Sequence, residues 1–568
     1  MKLSLLFSRL RGTQAFILLF SLYCVGSAGI LRADRLYLDD MGRALYGYAD
    51  MAQAGRPLAD LLSALFYLHS GTVDASPFSL FAAAGLTAGA ALLLCRALRI
   101  RLTPAVVAAC LPFGLGPYGL ENLSYRFDAP LTAAGVLFAV LPFCRLRGKH
   151  FFVPALLCVF ASASIYQPCL NVYAAVAVFL VLRNLSRGKA GSAALALRVG
   201  APLLCASALY ALQLPFWLTD YQYGDYVAAH SAVPGPGLLP AAAAANIRAY
   251  FALLYADWSV NALGPLLFLA VAALGAASAA RLLRRRSVEA LRQQQRAEQK
   301  PPNTRGNGQE GLKTRPGGRE RANARRTGPG PAALVALPAL LLCLIAAPLG
   351  VQVVLSSPVW SPRTLLAFGP VLTLVLLGIT PAGSAAGTNV RRAAGTAAPA
   401  GSAPATNVRR AAGTAAVVLI LLIDVQLLIV ASLYGNMLSA QNRWEQARFA
   451  ELAPALAAFA AENNSDRVIF AGGVGYSPLM DVPGRRFPLI RRMTVVPLTR
   501  DMRWGYEQLA VYGIAARPGK VPAEGDILRP HADTPFFRLD ATADGEAFVT
   551  FKRPPARRPH PGSAENTQ

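Results

Sequence analysis

Apolar residues in this chain gather into long blocks, each roughly 17 to 25 residues, the length a helix needs to cross a hydrocarbon core about 30 Å thick. No water reaches backbone groups there, so every such block must be a helix that closes its own hydrogen bonds. Of the 568 residues, 54% are hydrophobic and only 15% charged, with mean hydropathy +0.39. Ordinary soluble domains carry about 25% charged residues. The chain therefore reads as an all-α polytopic membrane protein of about eleven spans.

A net charge of +25 raises the question of nucleic acid, but the basic residues lie in short connections between apolar blocks and line no single face. That is the positive-inside distribution, and no nucleic-acid partner is expected. Spans fall near 13–31, 78–98, 103–119, 129–144, 151–165, 170–182, 194–214, 261–280, 332–355, 364–380 and 415–434. Lys2, Arg9 and Arg11 precede the first, and Arg99, Arg101, Arg145, Arg147, Lys149, Arg183, Arg187, Lys189 and Arg281 to Arg286 share their side, the cytoplasmic one. Ser27-Ala28-Gly29 would suit a signal cleavage site. The apolar stretch is long for a signal core, however, and we read it as a retained anchor.

Residues 1–434 form the expected membrane domain, with disordered cytoplasmic linkers at about 284–330 and 381–414. These stretches hold too few apolar residues to bury; the second contains a duplication, Thr388 to Ala398 recurring as Thr406 to Ala416. Residues 435–568 form an expected extracytoplasmic α/β domain with a disordered tail from about 553. It opens on an amphipathic pattern through Trp444, Phe449, Leu452 and Leu456, followed by strand-like runs at 467–471, 494–496 and 547–551. Gly472 to Gly475 reads as a turn and lacks a full dinucleotide fingerprint. The eight cysteines lie in or beside spans and the five histidines are scattered, which argues against a disulfide framework or a zinc site.

The chemistry sits in the outer connections. Asp39 and Asp40, in Tyr37-Leu-Asp-Asp-Met-Gly-Arg43, are adjacent carboxylates, and one with a raised pKa would serve as a general base. The alternative is a helix cap opening an amphipathic helix over 41–54. Glu121-Asn122-Leu-Ser-Tyr125-Arg126-Phe-Asp128 packs two acids, an arginine, an amide and a tyrosine between apolar spans, pointing to a polar binding site. Tyr166-Gln167 and Ser361-Pro-Arg363-Thr364 fall on the same side. Arg363 there either rests among headgroups or grips a lipid phosphate.

The run Y-L-D-D-M-G-R-x-L-Y-G-Y, the following G-R-P-L-A-D, the later E-N-L-S-Y-R-F-D and the Tyr166-Gln167 pair resemble the type II serotype-converting O-antigen glucosyltransferases. The resemblance holds in order and spacing to about residue 175, and more loosely over Ser361–Thr364 and the tail. It implies a GT-C-like enzyme of the bacterial cytoplasmic (inner) membrane that moves a hexose, glucose first among them, from a polyprenyl-phosphate donor to a lipid-linked surface polysaccharide. Asp39 and Asp40 then match the catalytic acidic pair. Arg43, Arg56, Arg126 and Arg363 become candidates to neutralise the phosphate, while Glu121, Asn122, Tyr125, Asp128, Tyr166 and Gln167 would orient sugar hydroxyls. No cofactor is required, although the family leaves room for a divalent cation at Asp39/Asp40. An upstream polyprenyl-phosphate glucosyltransferase and a flippase are the implied partners. Two other readings stay open: another GT-C transferase (mannosyl or arabinosyl, or with a protein or teichoic-acid acceptor), and a lipid-linked saccharide transporter. The second fits less well, because midplane positions are nearly all apolar apart from Asp424.

Overall fold

The computed structural model describes residues 6–189, 191–218, 229–298, 332–380, 403–499, 503–523 and 528–552. Among the described residues eight helices are long and apolar enough to cross a membrane: Gly12–Ala33, Phe78–Ala97, Gln167–Ser186, Ser192–Trp217, Leu263–Val288, Ala333–Val354, Pro362–Ile379 and Arg410–Asn463. The chain is a multi-pass membrane protein. Spans expected near 103–119, 129–144 and 151–165 fall instead on shorter apolar helices, Pro104–Leu115, Ala129–Arg145 and Phe152–Ile165. Proline shortens the first of these: Pro112 starts a new helical piece just after Cys110, since a proline ring cannot continue the ladder of the preceding turn.

The described helices include α1 (Gly12–Ala33), α2 (Asp39–Tyr46), α3 (Pro57–Tyr67), α4 (Phe78–Ala97), α5 (Leu120–Ser124), α6 (Leu170–Ser186), α7 (Leu239–Trp258), α8 (Leu263–Glu298), α9 (Phe368–Ile379), α10 (Ala403–Asn463) and α11 (Trp504–Val511). The amphipathic helix expected over 41–54 ends at Tyr46, where Gly47 takes φ +70° and its N–H closes on the Arg43 carbonyl at 2.9 Å. A left-handed cap of this kind suits glycine best. Neither Asp39 nor Asp40 is the N-cap, which is Leu38.

Helix α10 carries the chain from the bundle into a second folded unit. Its 61 residues span about 90 Å at the α-helical rise. In the bundle it lies against α1, where Gly29 faces Gly435; a Cβ on Gly435 would come within 2.3 Å of the Gly29 backbone. Two glycines thus let the helix backbones touch, the usual device for helix pairs in lipid. Farther along, Phe449, Leu452, Leu456 and Phe459 are buried in a separate core against a five-stranded sheet. The boundary expected at 434/435 lies inside this one helix.

The strands are β1 (Arg467–Ala471), β2 (Arg517–Pro518), β3 (Arg529–Asp533), β4 (Phe537–Ala541) and β5 (Ala547–Phe551), in spatial order β2-β1-β5-β4-β3. β1 runs parallel to β2 and β5, while β4 is antiparallel to both its neighbours. The expected strand at 494–496 is not one: the stretch is non-helical, non-strand chain. The neighbouring Met493 and Val495 carbonyls are taken by side chains of the bundle, Tyr37 at 2.6 Å and Arg35 at 2.8 Å, so this backbone does not join the sheet. The turn reading at Gly472 to Gly475 matches the contacts there, where the Val474 and Gly475 carbonyls accept from Trp444 and Gln441 of α10. Of the two expected linkers, 284–298 continues α8 and 403–414 opens α10; the remaining parts, and the tail from 553, lie outside the described residues.

Candidate active site

The acidic pair opens α2, and its two members differ in surroundings. Asp40 is sealed: its side chain is 0% exposed, Oδ2 accepts the Arg126 backbone N–H at 2.8 Å, and the Arg43 guanidinium lies 4.0 Å from Oδ1. Burial holds its carboxyl well above the usual range, against the pull of Arg43. Asp39, by contrast, is 28% exposed, with Arg503 at 4.0 Å. Its Oδ1 accepts the indole N–H of Trp504 at 2.9 Å.

Glu121 on α5 is the hub that ties the loop at 121–128 to the turn at 361–364. Its carboxylate accepts the Arg363 backbone N–H at 2.7 Å and faces the Ser361 hydroxyl at 3.1 Å and the Tyr37 hydroxyl at 3.1 Å. Asn122 donates to the Arg363 carbonyl at 3.1 Å. Burial raises the Glu121 carboxyl, with Arg363 opposing. The two segments are 240 residues apart in the chain and form one surface.

That surface lines a cavity of ≈ 340 Å³ whose polar walls include Arg56, Asn122, Tyr125, Asp128, Tyr166 and Arg363, with Met51 and Ile165 among the apolar ones. The four candidate arginines divide into two kinds. Arg43 is committed to Asp128 at 2.7 Å, and Arg126 to Asp74 at 2.7 Å and Asp34 at 3.0 Å. Arg56 and Arg363 make no ion pair among the described residues; each instead stacks on a tyrosine, Arg56 on Tyr166 at 4.9 Å and Arg363 on Tyr125 at 4.7 Å. The buried Nε of Arg56 has no hydrogen-bond partner, and neither does the buried Tyr125 hydroxyl. Two cations and a phenol therefore face the cavity with unspent hydrogen-bonding capacity. Gln167 stands beside them, donating to Tyr210, which itself donates to the Gly55 carbonyl at 2.9 Å.

Residues 29–291 match the family model described as glucosyl transferase GtrII. The matched segment holds Asp39, Asp40, Arg43, Arg56, the whole loop at 121–128, Tyr166 and Gln167, and it runs on past residue 175, where the motif spacing stops. Arg363 and the sheet domain lie beyond it. A Salmonella phage P22 protein, described as an uncharacterized 55.3 kDa protein in the gtrB 5' region, is 30% identical over 152 residues, 26% of this chain and 30% of its own length. The chain thus spans less than a third of that curated relative. No solved structure matches.

Several residues of the site carry no local signal. Trp504 and Arg503 reach Asp39 from the C-terminal domain. Asp257 on α7 is buried, accepts from Tyr118 at 2.6 Å and pairs with Arg492, so it ties the segment at 488–493 to the bundle. Tyr210 and Asp74 act as partners of Gln167 and Arg126. Only the fold brings them to their partners.

A divalent ion at the acidic pair fits these residues poorly. Asp40 already faces the Arg126 N–H and Arg43. Asp39 already meets Trp504 and Arg503. No group of three or more His, Cys, Asp and Glu side chains converges among the described residues.

Proposed function

We propose that this chain transfers a hexose, glucose by the family it resembles, from a polyprenyl-phosphate donor to a lipid-linked surface polysaccharide such as O-antigen, outside the cytoplasmic membrane. The observation that carries this reading is the pair of unpaired arginines, Arg56 and Arg363, on one wall of a cavity that also presents Asn122, Tyr125, Asp128 and Tyr166. Fixed cations stabilise a reaction most where negative charge develops, and the leaving phosphate of such a donor develops it there.

Asp39 is the base in this reading. It is the exposed member of the pair, and Trp504 holds Oδ1 while Oδ2 is left without a protein donor among the described residues. Oδ2 takes the proton of an acceptor hydroxyl; that oxygen forms a bond to the anomeric carbon as the bond to phosphate breaks. The configuration inverts, and polyprenyl phosphate leaves against Arg56 and Arg363. Asp40 and Arg43 act at one remove: Asp40 fixes the Arg126 backbone and Arg43 orients Asp128. A lipid-linked donor also explains the many spans, which supply a groove for an isoprenoid tail.

The test is a mass spectrum of the polysaccharide repeat in cells with and without the chain, and with Asp39→Asn at normal membrane level. A hexose gained with the wild type and lost with Asp39→Asn supports the reading. An unchanged polysaccharide overturns the acceptor. Full activity of Asp39→Asn overturns the base.

A further inference from the structure

The chain from Pro478 to Met493 packs with the bundle and not with the sheet. Met480, Leu489, Ile490 and Met493 are buried in the bundle core, and none of them belongs to the core beneath the sheet. Three short helical turns carry this stretch, Pro478–Met480, Asp481–Arg486 and Pro488–Met493. Residues 478–486 are helical without a break, so positions three and four apart share a face. Met480 and Gly484 are buried and form the inward face. Leu479, Val482 and Arg486 keep the same spacing on the outward face, where Leu479 is 57% and Val482 55% exposed. Arg485, Arg486 and Arg491 are exposed as well.

The outward face has a definite level in the molecule. The Arg486 carbonyl accepts the Asn261 side-chain amide at 3.4 Å, and Asn261 stands two residues before the span Leu263–Val288 begins. Arg492 pairs with Asp257, six residues before that span. The exposed face therefore lies level with the end of a membrane-spanning helix, where a bilayer passes from hydrocarbon to headgroups.

The charge of this segment is one-sided. Between Tyr476 and Thr499 there are four arginines, Arg485, Arg486, Arg491 and Arg492, and one acid, Asp481. Arg492 is the one of the four with an ion pair among the described residues. Arg485 donates to the Asp481 backbone carbonyl at 3.1 Å, and Arg491 stacks on Tyr476 at 4.9 Å. Neither contact supplies a neutralising carboxylate. Exposed apolar side chains beside exposed arginines, with the other face buried, are the pattern of a segment that lies in a membrane interface. A tyrosine under an arginine suits the same level.

We propose that this segment docks on a bilayer surface of anionic phospholipid headgroups through Leu479, Val482, Arg485, Arg486 and Arg491. The apolar pair enters the boundary between headgroups and acyl chains, and the guanidinium groups meet lipid phosphates. Docking there fixes the height of the chain that leads on to Trp504, the residue bonded to Asp39. The inference stands on the fold and does not depend on the proposed transfer reaction.

The experiment uses the full chain in lipid nanodiscs, made either of phosphatidylcholine alone or of phosphatidylcholine mixed with phosphatidylglycerol. Hydrogen–deuterium exchange is read for peptides covering 479–486, with the strand Ala547–Phe551 as internal reference. In the wild type, exchange at 479–486 should be about fivefold slower with the anionic lipid, the factor that one arginine at an anionic surface implies. Arg485→Gln/Arg486→Gln should lose that difference while the reference strand keeps its protection. Leu479→Ser/Val482→Ser should speed exchange in both lipids, because it removes the apolar contact alone. Equal wild-type exchange in the two lipids would overturn the proposal. So would an undiminished difference in the arginine variant, or an unchanged rate in the serine variant.

Discussion

The indole N–H of Trp504 reaches Asp39 Oδ1 at 2.9 Å across 465 residues of chain. The C-terminal domain therefore orients one carboxylate of the acidic pair, while the other is held by the bundle. Trp504→Phe keeps the ring and removes the donor. Turnover should fall about tenfold with donor KM little changed, the pattern of a lost orienting hydrogen bond in general-base catalysis. Steady-state transfer assays check this; an unchanged kcat would leave Trp504 as packing alone.

Asp39 and Asp40 should respond oppositely. Asp39→Asn should reduce transfer at least about a hundredfold at normal membrane level, the size typical of a lost general base. Asp40→Asn replaces a sealed carboxyl, which burial already disfavours in its charged form, with a near-isostere and should keep the fold. Asp40→Ala leaves the Arg126 N–H without its acceptor and should destabilise by about 1–3 kcal/mol. Activity and thermal unfolding of the three variants separate the two roles.

Arg56 and Arg363 make no ion pair among the described residues, but Arg363 attracts the buried Glu121 carboxyl, so Arg363→Ala should cost some stability and Arg56→Ala should not. Arg56→Ala or Arg363→Ala should raise donor KM or lower kcat/KM by about tenfold or more. Arg43→Ala, which strips Asp128 of its partner, should cost stability as well. Donor titrations alongside unfolding curves distinguish these outcomes.

Stability should fall as pH rises above the ordinary carboxylate range, near 4. Burial raises the carboxyls of Asp40, Glu121 and Asp257, outweighing the opposing arginines in each case. The folded protein then keeps protons that the unfolded chain releases. The favourable balance present at or below the unfolded value is lost as pH climbs through the raised folded values. Unfolding midpoints across pH 4 to 8 should slope downward, and Glu121→Gln should flatten that slope. A midpoint that climbs over this range would contradict the assignment.

Glu121 organises the join between α5 and the turn at 361–364. Glu121→Ala leaves the Arg363 N–H and the Ser361 and Tyr37 hydroxyls without this acceptor and should cost about 2–4 kcal/mol, with loss of transfer through displacement of Arg363. Unfolding and activity measured together test whether the two losses coincide.

Much of the architecture was legible in the sequence because lipid imposes it. A chain in hydrocarbon must close its backbone bonds within apolar segments, so eleven blocks were visible, eight of them on long helices and three on short ones. Pro112 breaks one of the short ones, a local effect the block pattern blurs. The acidic pair, the loop at 121–128 and the turn at 361–364 were also legible, as polar residues standing out against apolar neighbours. Their division of labour was not. Which aspartate is sealed, which arginines already have partners, and that Trp504 serves the site were decided by contacts between segments far apart in the chain. Residue type and spacing specify what each segment can do alone. Burial and pairing belong to the folded molecule, because they depend on which segments it brings together.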